Sequence, residues 1–298
     1  MNDPAVEDAY NYCMQITRAH YENFPVASRL ISRDLRKPIS VIYAFARTAD
    51  DMADEGNDEA DVRLANLDDY ISKLDAISNG EQADHPVFIA LQDTLRKSRL
   101  PLTPFYDLLT AFRMDVTKKR YANFTEVLNY CRFSANPVGN LVLHLLNKAS
   151  RENLARSDAI CTALQLINFL QDIEQDYVEC GRIYLPQDEM ALCNVYEEFI
   201  EQRQTNSAVL SLIDMQVIRI LDLMNQGIPL GWELSGRVGY ELRATIYGGL
   251  RVLDHLHQQR NDIYTRPRLG KRDWCWIAWM ALQKHSRPLT LRKQDCLS

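Results

Sequence analysis

Two pairs of aspartates are the residues in this sequence best suited to chemistry. Asp50 and Asp54 form one pair, and Asp172 and Asp176 form the other. On an α-helix, a spacing of four residues puts both carboxylates of a pair on the same face, one turn apart. Carboxylates held together repel one another unless a cation lies between them. Hard oxygen ligands select Mg²⁺, which keeps positions open for water and for phosphate oxygens. The pairs therefore predict a Mg²⁺ site that binds a diphosphate.

The surroundings of the second pair make this interpretation more specific. A single D-x-x-x-D pair is common on solvated helix faces, but residues 159–170 before Asp172 are almost all apolar. Such a run predicts a helix that is buried on most sides. Gln165 and Asn168 are the polar exceptions, and their spacing predicts one stripe with Asp172 and Asp176 along one continuous helix. Two solvated surface pairs are a poor explanation for this pattern.

A di-iron carboxylate site is the competing all-α alternative. It would need two Glu-x-x-His motifs on facing helices. The nearest match is Asp254-x-x-His257, which occurs once and carries the shorter acid. This pattern does not support a di-iron site.

The elements that would position these pairs are all predicted to be helices. Residues 38–54 and most later segments show apolar residues at helical spacing, and alternating β-branched runs are absent. Breakers such as Asn79-Gly80 and Gly181 separate the segments. We expect a single all-α domain over residues 1–298 with roughly ten helices, in which residues 1–15 and 286–298 are peripheral.

Composition excludes several other function classes. The chain has only 11 glycines in 298 residues and no G-x-G-x-x-G or P-loop motif, which disfavours a nucleotide-binding α/β fold. A net charge of −6 disfavours nucleic acid as a partner. Seven scattered cysteines without a C-x-x-C motif indicate free thiols in a reducing compartment. Without a signal-peptide pattern or a spanning apolar run, we expect a cytoplasmic protein, with peripheral contact at the inner membrane face left open.

Three segments resemble the squalene/phytoene synthase family. They are YAFARTADDMADE at 43–55, LINFLQDIEQD at 166–176 and GRIYLP at 181–186. The first two are similar to the paired aspartate-rich signatures of that family, and the third is similar to the continuation of the second signature. The resemblance runs from about His20 to Arg272. It implies the all-α isoprenoid synthase fold of class I prenyltransferases, a helical bundle with a central cavity between the two acidic helices.

Two further segments resemble one branch of the family, the hydroxysqualene synthases. These are HYENFPVAS at 20–28 and YCRFSANPVG at 130–139. Tyr21 and Asn23 replace hydroxyl residues that other branches carry. This departure puts in doubt the binding of a first prenyl donor, and it is consistent with a protein that handles one diphosphate substrate.

The resemblance also implies residue roles. It implies two or three Mg²⁺ ions, held directly or through water by Asp50, Asp54, Asn168, Asp172 and Asp176. Substrate contacts are expected from His20, Phe24, Arg47, Gln165, Gln171, Arg182, Arg266 and Lys271. Tyrosines that match family positions near the cavity are Tyr43, Tyr130, Tyr184 and Tyr247. Their rings could stabilise a carbocation. For each tyrosine an ordinary core position is an equal alternative, and for Arg47 the alternative is a salt bridge to Asp51.

The C-terminal stretch from Arg266 to Lys293 is rich in cations and has Asp273 as its one acid. Three interpretations stay open. Arg266, Arg268 and Lys271 could hold the leaving diphosphate, the stretch with Trp274, Trp276 and Trp279 could contact anionic lipid, or it could be an ordinary solvated face.

The favoured function is Mg²⁺-dependent conversion of presqualene diphosphate and water into hydroxysqualene, without NADPH, in squalene or hopanoid biosynthesis. One alternative is a head-to-head synthase that makes presqualene diphosphate, squalene or phytoene. Another is a non-catalytic assembly factor with the same fold. Neighbouring enzymes of the squalene pathway are expected partners, and the sequence leaves the oligomeric state open.

Overall fold

The computed structural model describes residues 3–19, 33–56 and 58–283. The chain folds into two compact units. The first unit comprises Met1–Lys118 and Arg132–Leu154, and the second comprises Lys119–Cys131 and Ala155–Ser298. Throughout the described ranges every regular secondary-structure element is an α-helix. Arg120 and Ile183 form an isolated parallel β-bridge. The all-α expectation is confirmed.

The helices up to residue 145 are α1 Pro4–Ala19, α2 Arg33–Asp54, α3 Ala60–Ser78, α4 Pro86–Ser98, α5 Thr103–Thr117, α6 Phe124–Ser134 and α7 Asn136–Leu145. Those that follow are α8 Arg151–Gln171, α9 Ile173–Cys180, α10 Gln187–Leu192, α11 Glu197–Glu201, α12 Ser207–Gly227, α13 Leu230–Glu233, α14 Gly236–Gln258 and α15 Lys271–Ala281. The described residues thus form fifteen helices rather than roughly ten. Helices as short as α13, with 4 residues, are too short to show a periodic pattern.

Helix α2 lies at the centre of the first unit. Its Phe45 is fully buried and packs against Tyr70 of α3, Phe88 of α4 and Phe105 of α5, at centroid distances of 5.1, 5.9 and 5.1 Å. Edge-on and tilted ring pairs of this kind stabilise a core beyond the area they bury. The packing fixes the helix whose last turn carries Asp50 and Asp54.

Helix α1 belongs to the same core, so the expectation that residues 1–15 are peripheral is wrong for the part of them described. Ala9, Tyr10 and Cys13 are buried. The Tyr10 hydroxyl donates to Asp93 Oδ2 at 2.9 Å, and burial raises the pKa of Tyr10 to about 12. The buried stripe of α1 mixes small and polar residues, which a search for apolar residues at helical spacing does not find.

Two glycines let neighbouring helices approach α8 in the second unit. A Cβ at Gly227 of α12 would lie 2.3 Å from Ile160 Cγ1 and 2.7 Å from the Arg156 carbonyl oxygen. A Cβ at Gly249 of α14 would lie 2.6 Å from Leu164 Cδ2. Most of the apolar residues predicted to be buried on α8 are buried in the structure, and Cys161 and Leu164 are half-buried. The buried ones are Ala159, Ile160, Ala163, Leu166, Ile167, Phe169 and Leu170. Close helix packing therefore fixes the helix that leads into Asp172.

The buried Asp273 of α15 attaches this helix to α14. Its carboxylate accepts from Arg251 Nε at 2.6 Å and from the Gly270 N–H at 2.7 Å, and His255 Nε2 lies 3.3 Å away. Arg251, followed by the Gly270 N–H, lowers the pKa of Asp273 to about 2. The carboxylate is therefore charged in the folded protein at neutral pH.

The six cysteines in the described ranges are free. Among the same residues, no helix is long and apolar enough to cross a membrane.

We expect Gly227→Ala to destabilise the protein by about 1–3 kcal/mol, because the added methyl overpacks the contact between α12 and α8. Gly248→Ala is the matched control, since a Cβ there meets no atom within 4 Å. The control should be neutral or stabilising by up to about 1 kcal/mol, because alanine is the better helix former. Urea unfolding followed by circular dichroism measures both. Equal effects of the two substitutions would contradict this account of α8.

We expect Asp273→Asn to lower the free energy of unfolding at pH 7 by about 2 kcal/mol, because Arg251 loses a charged partner in a buried position. The folded pKa of about 2 lies below the unfolded value of about 3.9. The stabilisation is therefore present above about pH 4 and is lost as the pH falls towards 2. Urea unfolding at a series of pH values should show the two proteins converging over that range.

Asp69→Asn is the control for this effect. Asp69 forms an exposed pair with Lys73 on α3, and such pairs contribute at most about 0.5 kcal/mol. A constant difference between wild type and Asp273→Asn from pH 7 to pH 2 would show that the buried carboxylate is not the cause.

Candidate functional site

The first aspartate pair lies at the C-terminal end of α2. Asp50 is half-buried and Asp54, the last helical residue, is exposed. The C-terminal end of a helix carries partial negative charge, so carboxylates are unfavourable there and a cation is favourable. No basic residue lies in the last turn of α2. Arg63 of α3 supplies a positive group there, because its Nη1 donates to the carbonyl of Ala53 at 2.6 Å.

Arg47 is the cation that the structure places beside this pair. Its guanidinium reaches Asp50 Oδ2 at 3.2 Å and Asp51 Oδ1 at 2.6 Å, and it also pairs with Glu55. The alternative of a salt bridge to Asp51 is thus what the structure contains. Because Arg47 already offsets part of the negative charge on three carboxylates, a contact with diphosphate stays a prediction for this residue.

The second pair is not carried on one continuous helix, and this part of the expectation is wrong. Helix α8 ends at Gln171, α9 begins at Ile173, and Asp172 lies between them with φ −115° and ψ 20°. Backbone hydrogen bonds continue through the bend, from Asp172 N–H to Asn168 O at 2.9 Å and from Asp176 N–H to Asp172 O at 2.8 Å. The spacing of the polar residues survives, but the helix axis is interrupted at the aspartate.

Contacts with the segment before α15 explain the bend. Gln171 Nε2 donates to the carbonyl of Pro267 at 3.1 Å, and Arg266 Nε lies 2.8 Å from Asp172 Oδ1. Aspartate is also a weak helix former in a helix interior. Two adjacent side chains are therefore held by one distant segment, which no local pattern in the sequence indicates.

The charge state of Asp172 reflects this environment. Burial raises its pKa, Arg266 acts in the opposite direction, and Glu179 raises it further. A half-buried carboxylate that is costly to charge favours a nearby cation. Arg266 fills part of that role and joins this segment to the second acidic motif, whereas its predicted contact with diphosphate stays a prediction.

Arg182 is tied to the second acidic motif through the backbone. Gly181 ends α9 with a left-handed φ of 61°, a conformation that glycine adopts without strain. The turn lets the Arg182 N–H donate to the carbonyl of Asp176 at 2.9 Å. The Arg182 side chain is buried, and its Nη1 donates to the Tyr184 hydroxyl at 3.3 Å.

Two of the predicted tyrosines belong to one aromatic cluster of the second unit, formed by Tyr121, Tyr130, Phe169 and Tyr184. Phe169 and Tyr184 stack at 3.6 Å with an interplanar angle of 5°. Tyr130 lies 5.5 Å from Tyr184 and 6.0 Å from Phe169, and Tyr121 lies 5.4 Å from Tyr184. Phe169 precedes Asp172 by three residues, about one helical turn, so the cluster lies close to the second acidic motif along the chain.

Sequence reasoning missed Phe169 and Tyr121. Phe169 stands inside the second signature, so its position beside Asn168 was the available signal, whereas Tyr121 had none.

Sequence reasoning also missed the contacts of Arg120. Its guanidinium donates to Gly181 O at 2.5 Å and to both carboxylate oxygens of Glu197 at 2.7 and 2.6 Å, which fixes the turn before Arg182.

The other two predicted tyrosines are Tyr247 on α14 and Tyr43 on α2. Tyr247 of α14 is buried against Trp232 and Trp276, at 6.5 and 5.8 Å between centroids. Tyr43 is half-buried in the first unit and packs against Ile39. Burial raises the pKa of Tyr43, Arg47 lowers it, and Asp50 and Asp51 raise it.

The remaining predicted residues are distributed as follows. Gln165 is half-buried on α8 and Asn168 is exposed, as a polar stripe requires. Lys271 is exposed at the start of α15. His20 and Phe24 lie outside the described residues.

The donors at the two pairs suit Mg²⁺. They are carboxylate and amide oxygens, which this hard cation prefers. Across the described ranges, no group of three or more His, Cys, Asp or Glu side chains could hold a metal ion. A Mg²⁺ ion bound at either pair would therefore take its other ligands from water and from substrate oxygens, which is its usual habit in proteins. The first pair belongs to the first unit and the second pair to the second, so a cavity shared by both stays a prediction.

Comparison of the sequence with protein-family models identifies the family of this chain. The model of "Squalene/phytoene synthase" matches residues 17–274. The chain belongs to the squalene/phytoene synthase family. The resemblance of its acidic segments to that family is thereby confirmed, and the chain is an enzyme of this family.

Individual relatives and solved structures agree with this assignment. The hydroxysqualene synthase of Rhodopseudomonas palustris is 38% identical over 222 residues, which is 74% of each chain. That of Zymomonas mobilis is 46% identical over 171 residues, 57% of this chain and 56% of the relative. The structure of squalene synthase HpnC from Alicyclobacillus acidocaldarius, 35% identical, superposes with a TM-score of 0.81 over 88% of this chain and 97% of that chain. The isoprenoid synthase fold is confirmed.

We expect Mg²⁺ and inorganic diphosphate together to raise the thermal midpoint more than the sum of their separate shifts. Each would complete the other's coordination, so their binding is coupled. Asp54→Asn and Asp176→Asn should each abolish the joint shift, while the unliganded midpoint stays equal or rises because repulsion between carboxylates is relieved. Asp188→Asn is the control, since Asp188 is exposed on α10 outside both signatures. Differential scanning fluorimetry measures all four proteins, and strictly additive shifts in wild type would contradict a shared site.

Proposed function

We propose that this enzyme converts presqualene diphosphate and water into hydroxysqualene and diphosphate, with Mg²⁺ as its metal, in squalene or hopanoid biosynthesis. The observation that carries the proposal is the 38% identity to a hydroxysqualene synthase over 74% of both chains. In this reaction the bond between carbon and the diphosphate oxygen breaks, the carbocation rearranges, and a water oxygen bonds to it. The proton released by that water leaves with the solvent or with diphosphate, so the atoms and charges balance.

The first requirement is stabilisation of the departing diphosphate. Mg²⁺ bound at the aspartate pairs supplies charge neutralisation of the leaving group. The chain adds its own cations near the second pair. Arg266 lies beside Asp172, and the backbone of Arg182 is bonded to that of Asp176. In our proposal these side chains orient the diphosphate oxygens, which lowers the entropy that must be lost in reaching the transition state.

The second requirement is a wall that tolerates a carbocation without reacting with it. The stacked rings of Phe169 and Tyr184, with Tyr130 beside them, offer negative π faces for that purpose. The hydroxyl of Tyr184 accepts from Arg182, so its lone pair is engaged. In our proposal this keeps the phenol oxygen from capturing the cation, while the ring remains available.

The third requirement is the water that ends the reaction. We propose that water rather than hydride is the nucleophile and that NADPH is not used. Polar groups must hold such a water near the cation. Tyr43 and Asn136 of the first unit are candidates, because Tyr43 is half-buried and Asn136 is buried at the start of α7.

We expect the product hydroxyl to carry ¹⁸O when the purified enzyme turns over presqualene diphosphate with Mg²⁺ in ¹⁸O-labelled water. Mass spectrometry of the product, with and without NADPH, measures the incorporation. Asp176→Asn should give no product, and Asp188→Asn should behave as wild type. An unlabelled product, or squalene that forms only with NADPH, would refute water as the nucleophile.

A parallel incubation with farnesyl diphosphate alone tests the alternative of a head-to-head synthase. Relatives named phytoene synthase are 34% identical over 62% of this chain, which gives that alternative its support. Consumption of farnesyl diphosphate at a rate comparable to that of presqualene diphosphate would favour the condensing reaction. No turnover of either substrate by the folded protein would favour a non-catalytic role.

A further inference from the structure

Helix α15 presents an apolar face outwards. Trp274, Trp279 and Leu282, the residue that follows the helix, are 59%, 58% and 68% exposed. On a helix, positions 274, 278 and 282 lie one above another, and positions 275 and 279 adjoin them. Ala278 and Cys275 occupy the remaining positions, so the outward face is apolar along its whole length. We call residues 274, 275, 278, 279 and 282 the tryptophan face.

The opposite side of α15 fixes the helix to the second unit. Ile277 and Ala281 are buried, and Asp273 is held by Arg251. At the C-terminal end, Arg243 Nε donates to the carbonyl of Ala281 at 2.6 Å. Trp232 Nε1 donates to the carbonyl of Gln283 at 3.2 Å. The tryptophan face is thus preformed and held in a fixed orientation on its unit.

Cations flank the tryptophan face. Lys271 and Arg272 are exposed in the first turn of α15, and Arg268 is exposed just before it. Positive side chains are unfavourable at a helix N-terminus because of the helix dipole, so helix stability does not explain them. The one acid of the helix, Asp273, points inwards to Arg251. The outer side therefore combines positive charge with an apolar surface.

The sequence beyond the described residues continues this charge pattern. Lys284, Arg287, Arg292 and Lys293 precede the next acid, Asp295. Each lysine or arginine of such a cluster that lies close to an anionic lipid surface strengthens binding to it by roughly fivefold.

We propose that the tryptophan face of α15 docks on an anionic lipid surface. Tryptophan is suited to the boundary between head groups and acyl chains, where its ring is buried and its N–H stays hydrated. Lysine and arginine at the edge of the face pair with lipid phosphates. Single exposed apolar residues such as Leu192 on α10 are ordinary, but two tryptophans and a leucine on one face with a cationic edge form a surface that water solvates poorly.

Vesicle binding by the full chain tests the proposal without any dependence on catalysis. We expect cosedimentation with vesicles of phosphatidylcholine and phosphatidylglycerol at 3:1, and at least tenfold weaker binding to phosphatidylcholine alone. The double substitution Trp274→Ser with Trp279→Ser should weaken binding to anionic vesicles by at least about tenfold for each tryptophan. Arg272→Gln should weaken it by about fivefold. Raising the salt concentration should weaken binding by wild type more than by Arg272→Gln.

Two controls separate docking from damage to the fold. Leu192→Ser removes an apolar side chain of 74% exposure from the same unit but outside α15, and it should bind vesicles as wild type does. The double tryptophan variant should keep the wild-type thermal midpoint, because both rings are largely solvated. It should also keep turnover of substrate presented in detergent micelles, which distinguishes failure of docking from failure of the proposed reaction.

Three outcomes would overturn the proposal. One is equal binding of wild type and the double tryptophan variant to anionic vesicles. Another is equal loss of binding in Leu192→Ser. The third is absence of vesicle binding together with a dimer, measured by sedimentation velocity, that dissociates in the double tryptophan variant. That result would assign the face to a second copy of this chain instead of lipid.

Discussion

The ion pair between Asp172 and Arg266 is the interaction on which the second unit is organised. A carboxylate that burial makes costly to charge must have a cation nearby, or it takes up a proton. Arg266 supplies that cation from the segment that precedes α15. Because Gln171 bonds to the neighbouring Pro267, the same contact interrupts the helix and anchors the segment. The contacts of Gln171 and Asp172 thus tie the end of α8 to the segment before α15.

The remaining packing of the second unit keeps this carboxylate in place. Gly227 and Gly249 permit α12 and α14 to approach α8 closely, so the helix has little freedom to rotate. On the far side of the bend, Arg120 holds Gly181 and Glu197 together, which sets the turn that leads to Arg182. Stacking of Phe169 on Tyr184 then joins α8 to the chain that follows α9. The reaction that we propose needs a metal, a diphosphate and a reactive cation at one site, and such rigidity would favour it because the groups of the site need no reorganisation during reaction.

Much of this architecture could be predicted from the sequence, because it depends on patterns that are local. The helical spacing of apolar residues predicted α2 and the buried α8, and the aspartate spacing identified both acidic motifs. The bend at Asp172 could not be predicted, since it is imposed by Arg266 and Pro267, which are remote in sequence. The burial of α1 was missed because its inner stripe consists of small and polar residues. Tyr121 carried no signal, because a single tyrosine between Arg120 and Ala122 looks like any surface residue.

The positions of the tryptophans have a consequence for spectroscopy. All four tryptophans of the chain, at positions 232, 274, 276 and 279, lie in α13 and α15 of the second unit. Intrinsic tryptophan emission therefore comes from one corner of the molecule, and two of its sources are already largely hydrated in the native state. Exposure on unfolding would change the emission wavelength of Trp274 and Trp279 little, so Trp232 and Trp276 dominate any spectral shift. The first unit contains no tryptophan, and its melting is visible only to tyrosine absorbance or far-ultraviolet dichroism. A melting curve from intrinsic tryptophan emission accordingly reports the surroundings of α13 and α15, and a fluorimetry experiment on variants at the end of α2 needs an external dye.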